Sequence, residues 1–127
     1  MSWTTVKILE LNVPSSRSGF VYNTSVMQKA IDELNETQRQ IVAAVELPRS
    51  GPITFSVPME DITHMVSNVR IEDNFLVADV RKLETPKANM FGPDCSWKFF
   101  PAGTASLKDN NMVTDYTLMY LRSEPQW

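Results

Sequence analysis

Two pairs of long β-type segments, each joined by a short polar turn, constrain the fold of this chain most strongly. Ile62 to Ile71 and Phe75 to Leu83 flank Glu72-Asp73-Asn74. Trp97 to Leu107 and Met112 to Leu121 flank a second polar stretch. Apolar runs of this length, separated by Asp and Asn, are typical of strands joined in hairpins. The sequence therefore predicts two β-hairpins in the second half of the chain.

The first half of the chain contains shorter β-type segments. Leu9, Leu11 and Val13 alternate with polar residues, which predicts a half-buried strand from Val6 to Val13. Pro14 ends it, because proline cannot donate to a sheet ladder. Residues 41–47 and 53–57 are short apolar segments bounded by proline, and each predicts a further strand.

One clear helix is predicted between these strands. Ser25 and Gln28 have the spacing of a capping box, in which each side chain satisfies a free backbone N–H of the first turn. An apolar stripe at helical spacing follows, formed by Met27, Ala30, Ile31 and Leu34. We expect this stripe to cover a sheet rather than to bind a partner. A helical turn is also predicted at Thr85-Pro86-Lys87, because proline is well tolerated at the start of a helix.

These elements together predict a mainly β fold of the α+β class. The expected architecture is a small antiparallel β-barrel or sandwich with one clear helix packed against it. A length of 127 residues suits one domain, covering residues 1–127. Apolar residues make up 43% of the chain, which is too many for a disordered protein.

The distribution of charge argues against nucleic acids as partners. The chain has 12 Lys and Arg against 15 Asp and Glu, a net charge of −3, and its cations are scattered with only Arg81-Lys82 adjacent. Nucleic-acid binding usually needs a basic face.

The first residues do not resemble a signal peptide. The longest aliphatic run, residues 41–45, is far short of the ~20 residues that a membrane helix needs. We therefore expect a protein that is neither secreted nor membrane-bound.

The single histidine and single cysteine limit the possible chemistry. One Cys excludes an intrachain disulfide framework and zinc sites built on paired cysteines. One His leaves only one imidazole base for a Ser–His or Cys–His pair. The acidic clusters lack calcium-loop spacing, and the four glycines lie too far apart for a phosphate-binding loop. We therefore expect no metal and no cofactor.

His64 lies near an acid and a hydroxyl, which raises the question of a catalytic triad. Asp61 and Ser67 are each three residues away, so on a regular strand both would point to the face opposite His64. We therefore favour a structural role for His64, with a triad built from distant residues left open. Cys95 and Ser96 are the alternative nucleophiles, although Cys95 fits better as a small apolar side chain.

Three segments are similar, in order and spacing, to motifs of one family. Residues 12–22 resemble its loop "N-x-N-G-R-x-Y" before the first helix. Ile62 to Leu83, followed by Thr85-Pro86, resembles its hairpin "V-S-H-x-V-x-x-L-x-I-E" and the following "I-L-D-T-P". Residues 103–125 resemble its final hairpin, in which "G-x-V" leads to "V-x-D-F-x-L" and ends at "x-P". The family is that of the tailed-phage prohead proteases, capsid-maturation serine proteases with a herpesvirus-assemblin-like fold. The resemblance spans nearly the whole chain and implies that fold.

The chain departs from this family at both catalytic positions. The family's base follows a strand end of the type "G-E-L-x-H-P", and the matching stretch here places Arg49 at that position. Arginine stays protonated and cannot act as a general base. The family's nucleophilic serine precedes an "R-G" pair, and the matching residues 99–103 contain Pro101 and no hydroxyl. His64 matches a hairpin histidine that is not the family's base. The resemblance therefore implies a catalytically degenerate member.

Three functions follow from these observations. The first is a non-catalytic phage protein that binds other proteins in capsid assembly, decoration or maturation. The second is an active hydrolase that uses His64 with Cys95 or Ser96. The third is a phage regulatory protein that binds a host enzyme or the phage's own protease.

An aromatic group next to the degenerate position is the candidate partner-binding surface. Trp97, Phe99 and Phe100 lie in or just before the matching segment and suit either partner binding or core packing. The resemblance implies capsid or scaffold proteins as partners, and self-association is left open. It also implies a location in the cytoplasm of an infected cell or in the virion.

Overall fold

A computed structural model describes residues 3–45, 61–90, 92, 95–108 and 111–126. Its six strands and two helices, in chain order, are β1 (Thr4–Glu10), α1 (Thr24–Glu36), β2 (Val42–Ala44), β3 (Ile62–Glu72), β4 (Phe75–Lys82), α2 (Pro86–Met90), β5 (Ser96–Lys108) and β6 (Met112–Gln126). The predicted mainly β, α+β fold is confirmed. The strand predicted at residues 53–57, the last two residues of the strand predicted at 41–47 and the position of Arg49 lie outside the described residues.

One six-stranded sheet, in the order β1-β4-β3-β2-β6-β5, forms a curled half-barrel. Both predicted hairpins are confirmed as the antiparallel pairs β3–β4 and β5–β6. Asp73 and Asn74 form the first turn with φ angles of 49° and 67°, the left-handed geometry that fits the twist of a two-residue hairpin. The sheet is not wholly antiparallel, because β2 pairs with β6 in parallel. This parallel pair joins the two hairpins into one sheet.

Helix α1 begins slightly earlier than predicted. Asn23, rather than Ser25, is the N-cap, and its side-chain oxygen accepts a hydrogen bond of 2.9 Å from the backbone N–H of Val26. Asparagine caps a helix as well as serine does, so the capping-box spacing was misleading here. The predicted stripe of Met27, Ala30, Ile31 and Leu34 is buried in the core, with α1 packed against β6 and β3.

Strand β1 covers Thr4–Glu10 and not Val6 to Val13, and it ends early because the chain turns at Asn12. The φ angle of Asn12 is 65°, which ends the extended conformation before Val13. The Asn12 side chain then donates hydrogen bonds to Thr24 and Asn74, and so links the start of α1 to the β3–β4 turn. The predicted helical turn after Thr85 is confirmed as α2, and the Thr85 hydroxyl accepts from the N–H of Ala88.

Candidate functional site

His64 is buried in the interior of the half-barrel. It lies in the middle of the sheet, opposite Ala43 of β2 and Lys82 of β4, and its exposed fraction is 4%. Trp97 and Phe99 of β5 pack edge-on against its imidazole ring, with centroid distances of 5.2 and 4.9 Å. The only histidine of the chain is therefore enclosed by strands and aromatic rings.

A β-bulge places the Thr63 hydroxyl beside this imidazole. Ala43 pairs with His64 and Ala44 pairs with Ile62, so Thr63 is an extra residue with no partner on β2. Consecutive side chains of a regular strand point to opposite faces, whereas a bulge redirects them. The Oγ1 atom of Thr63 lies 2.7 Å from Nδ1 of His64.

Ser123 extends this contact into a buried network. Its Oγ lies 2.7 Å from Oγ1 of Thr63, and both residues have an exposed fraction of 0%. Thr63 Oγ1 also lies 3.4 Å from the carbonyl oxygen of Ala43 and can donate a hydrogen bond to it. Because β6 runs parallel to β2, Ser123 reaches the interior next to β3. The network therefore links the side chains of β3 and β6 to the backbone of β2.

Burial sets the charge of His64. Desolvation lowers its pKa from 6.5 to about 4, and the positive charge of nearby Lys82 contributes in the same direction. The imidazole is therefore neutral at physiological pH. A neutral imidazole next to two hydroxyl groups has the chemistry of a proton relay. However, the hydroxyl of Ser123 is fully buried, so no substrate can reach it in this conformation.

Sequence reasoning did not identify Ser123 as a neighbour of His64. The two residues are 59 positions apart, and their proximity depends on the parallel β2–β6 pair and on the bulge at Thr63. The only local signal was the alternation along β6, which places Ser123 two residues after the buried Leu121. That signal indicates an inward-facing hydroxyl but not its partner.

The other candidate catalytic residues make their contacts away from the His64 network. The Cys95 thiol lies near two carbonyl oxygens, 3.2 Å from that of Ser96 and 3.8 Å from that of Gln126. Ser96 is exposed at the start of β5. Asp61 precedes β3 and accepts a backbone hydrogen bond from Val45, and Ser67 lies opposite Asp79 of β4. Within the described residues, His64 is hydrogen-bonded to Thr63 and to none of these groups.

Pro101 and the three aromatic residues occupy different environments along β5. Pro101 lies opposite Leu121 and is half-buried. Phe99 has an exposed fraction of 4% and belongs to the core, so it offers no surface to a partner. Trp97 packs against the same core, whereas Phe100 is half-buried on the other face of the strand. This separation splits the aromatic group that the sequence suggested as one surface.

The loop between β1 and α1 contacts the β5–β6 hairpin near Phe100. Two guanidinium nitrogens of Arg17 donate to both carboxylate oxygens of Glu124 on β6, and the guanidinium carbon lies 4.3 Å from the centroid of the Phe100 ring. These hydrogen bonds, together with nearby positive charge, hold the pKa of Glu124 below its usual range. Arg17 therefore joins the 15–19 loop to both β5 and β6.

The described residues contain neither a candidate metal cluster nor a helix suited to span a membrane. Among residues 3–45, 61–90, 92, 95–108 and 111–126, no three His, Cys, Asp or Glu side chains are grouped so that they could hold a metal ion. Neither described helix is long and apolar enough to span a membrane.

The fold is similar to that of a known protein, although the sequence gives no match. No family model and no curated protein matches this sequence. The capsid assembly protease gp21 of bacteriophage T4 has a similar structure, with a TM-score of 0.66 and 14% sequence identity. The similarity covers 95% of this chain and 80% of the phage protein. The chain therefore has a phage prohead-protease-like fold.

Proposed function

We propose that this chain is a non-catalytic phage protein on a prohead-protease-like scaffold. It acts by binding other proteins during capsid assembly, decoration or maturation. The enclosure of its only histidine carries this proposal, because a general base must be within reach of the proton that it removes from a substrate or nucleophile.

The fold supports the capsid context of the proposal. The similarity to the capsid assembly protease of bacteriophage T4 covers 95% of this chain, so it extends across most of the molecule and not just one motif. A fold alone does not determine an activity, and the function of this chain has to be argued from its own residues.

The residues near His64 support the non-catalytic part of the proposal. The imidazole contacts Thr63 and two aromatic rings, and the serine hydroxyl nearest in this network is fully buried. A pKa of about 4 also makes His64 a weak base at neutral pH. Pro101, at the position that the family resemblance assigns to the nucleophile, has no hydroxyl. These features suit a structural network better than acyl transfer.

A peptidase assay tests the absence of catalysis. Wild-type protein, His64→Gln, and the double variant Cys95→Ser with Ser96→Ala are incubated with a fluorogenic peptide library. We expect all three to release product at the rate of the buffer control. Cleavage by wild type that is lost in His64→Gln or in the double variant would overturn the proposal in favour of the hydrolase.

Mass spectrometry of purified virions and proheads tests the capsid role. We expect this chain in at least one of these particles at many copies per particle, with capsid or scaffold proteins recovered by affinity capture from infected cells. If the chain is absent from both particles and capture recovers a host enzyme or the phage protease, the regulatory function is favoured. The two experiments are independent, because a capsid protein can lack or possess peptidase activity.

A further inference from the structure

The second half of β5 forms a sheet edge with unusual properties. Within the described residues, no strand pairs with the outer side of β5, and residues 103–108 are all exposed. Natural edge strands are usually protected by charged residues, proline or bulges. Residues 99–107 carry no charge, and the only proline, Pro101, precedes the exposed part.

The bulges of this hairpin do not protect the edge. Both irregularities place the extra residue in β6, at Met119 and at Thr114, so β5 itself continues without interruption. The edge from Gly103 to Leu107 is therefore uncharged, contains no extra residue and is exposed to solvent. Such an edge is suited to pairing with another strand.

The two faces of this segment differ in polarity. Gly103, Ala105 and Leu107 lie opposite three buried residues of β6, namely Leu118, Tyr116 and Val113. Thr104 and Ser106 point to the other face, as alternation requires. The apolar inner face of the sheet thus continues to the edge, where Leu107 is 46% exposed.

We propose that the chain forms a two-fold dimer in which the β5 edges of two copies pair antiparallel about Ala105. This register places Thr104 of each copy opposite Ser106 of the other, so that two hydroxyl side chains meet on the polar face. It also places Leu107 opposite Gly103. The charged Lys108 residues lie at opposite ends of the paired segment and do not repel each other.

Gly103 makes the inner face of this dimer fit. A Cβ atom at residue 103 would lie 1.9 Å from the carbonyl oxygen of Thr117, so β6 allows no side chain here. The absence of a side chain leaves room for Leu107 of the second copy. Large and small residues then face each other on both sides of the two-fold axis. A second copy supplies this complementarity without any other partner, and the dimer forms whether or not the protein acts in capsid assembly.

Light scattering after size-exclusion chromatography tests the dimer. We expect wild type to elute with twice the chain mass of 14.4 kDa. Ala105→Lys places two ammonium groups face to face across the axis and should weaken the dimer at least about tenfold. Thr4→Lys adds the same charge to the opposite edge strand β1, at an exposed position, and should remain dimeric. Circular dichroism checks that both variants are folded.

Disulfide cross-linking tests the register. In a Cys95→Ser background, Ala105→Cys places two thiols directly opposite each other. The Cα separation of about 4.5–5.5 Å in an antiparallel pair suits a disulfide. We expect a covalent dimer upon mild oxidation. Lys108→Cys in the same background is the matched control, because its two thiols would lie roughly 20 Å apart.

Three results would overturn the dimer. The first is a wild-type protein that stays monomeric at high concentration, even if it pairs with a different chain. The second is an Ala105→Lys variant that dimerises as tightly as wild type. The third is equal cross-linking of Ala105→Cys and Lys108→Cys.

Discussion

The two halves of β5 have opposite surroundings although they belong to one strand. In the first half, Phe99 is buried and forms a wall of the His64 pocket. In the second half, residues 103–108 are exposed on both faces. The inward-facing side of the first half packs against the core, whereas the second half lies exposed at the sheet edge. His64 and Phe99 are therefore buried, and the exposed surface lies farther along the strand.

This difference separates two properties that the sequence placed together. The aromatic cluster near residue 99 suggested a binding surface next to a lost active site. The structure puts Phe99 into the core and leaves the less conspicuous Gly103 to Leu107 segment accessible. Residue type alone did not indicate which segment is exposed, since burial depends on what the curled sheet brings above each position.

The largest expected effect is on the free energy of unfolding when the buried half is truncated. Phe99→Ala should destabilise the protein by about 3–5 kcal/mol, because it removes a buried ring and leaves a cavity. Leu107→Ala is the matched control in the exposed half; when both variants are made in the Ala105→Lys background, so that dimerisation does not contribute, it should change stability by less than about 0.5 kcal/mol. Urea denaturation measures both. Similar losses for the two variants would show that the second half of β5 is as well packed as the first.

The second effect is a pH dependence of stability caused by His64. Since burial lowers the pKa to about 4, the unfolded chain binds a proton between pH 6.5 and 4 that the folded chain does not. The contribution of neutral His64 is therefore complete above pH 6.5 and is lost as the pH falls towards 4. The full loss should be roughly 3 kcal/mol.

His64→Gln serves as the control for this pH dependence. Glutamine keeps a hydrogen-bonding group for Thr63 but does not titrate. Denaturation curves at several pH values between 7 and 5, above the range where most carboxylates titrate, should show a steeper fall for wild type. If the free energy of unfolding falls equally with pH in both proteins, the imidazole is hydrated in the folded protein and is not buried as described.

The fold was largely predictable from sequence because its signals are local. Strand alternation and the Asp73-Asn74 turn predicted the first hairpin, and the apolar stripe predicted the buried face of α1. The parallel β2–β6 pair was not predictable, because β2 spans only Val42–Ala44 and its partner lies far along the chain. The bulge at Thr63 lies in the β2–β3 pair, and the β2–β6 pair brings Ser123 next to it, so the contact of His64 with Thr63 and Ser123 was missed. The candidate site was thus harder to predict than the fold that surrounds it.

The third effect concerns the hydroxyl that joins Ser123 to His64. Thr63→Val keeps the branched shape but removes the shared oxygen, which leaves two buried polar groups without this partner. We expect a loss of about 1–3 kcal/mol in the free energy of unfolding. Ser123→Ala should cost less when Thr63 is already Val, because the contact that it removes is then already absent. Additive losses would show that the two hydroxyl groups act independently.

The smallest effect concerns the attachment of the 15–19 loop to the first half of β5. Arg17 binds both oxygens of Glu124 and covers the Phe100 ring, but its side chain is 41% exposed. Solvent screens such a pair, so Arg17→Lys should cost no more than about 1 kcal/mol. Lysine keeps the charge but loses the planar two-nitrogen contact and the stacking on the ring. In high salt, the difference in free energy of unfolding between wild type and Arg17→Lys should lose only the contribution of the ion pair with Glu124. The contribution of the contact with the Phe100 ring should remain. A Phe100→Leu background separates these parts: if Arg17→Lys costs as much there as in wild type, the ring contributes nothing and the loop is held by Glu124 only.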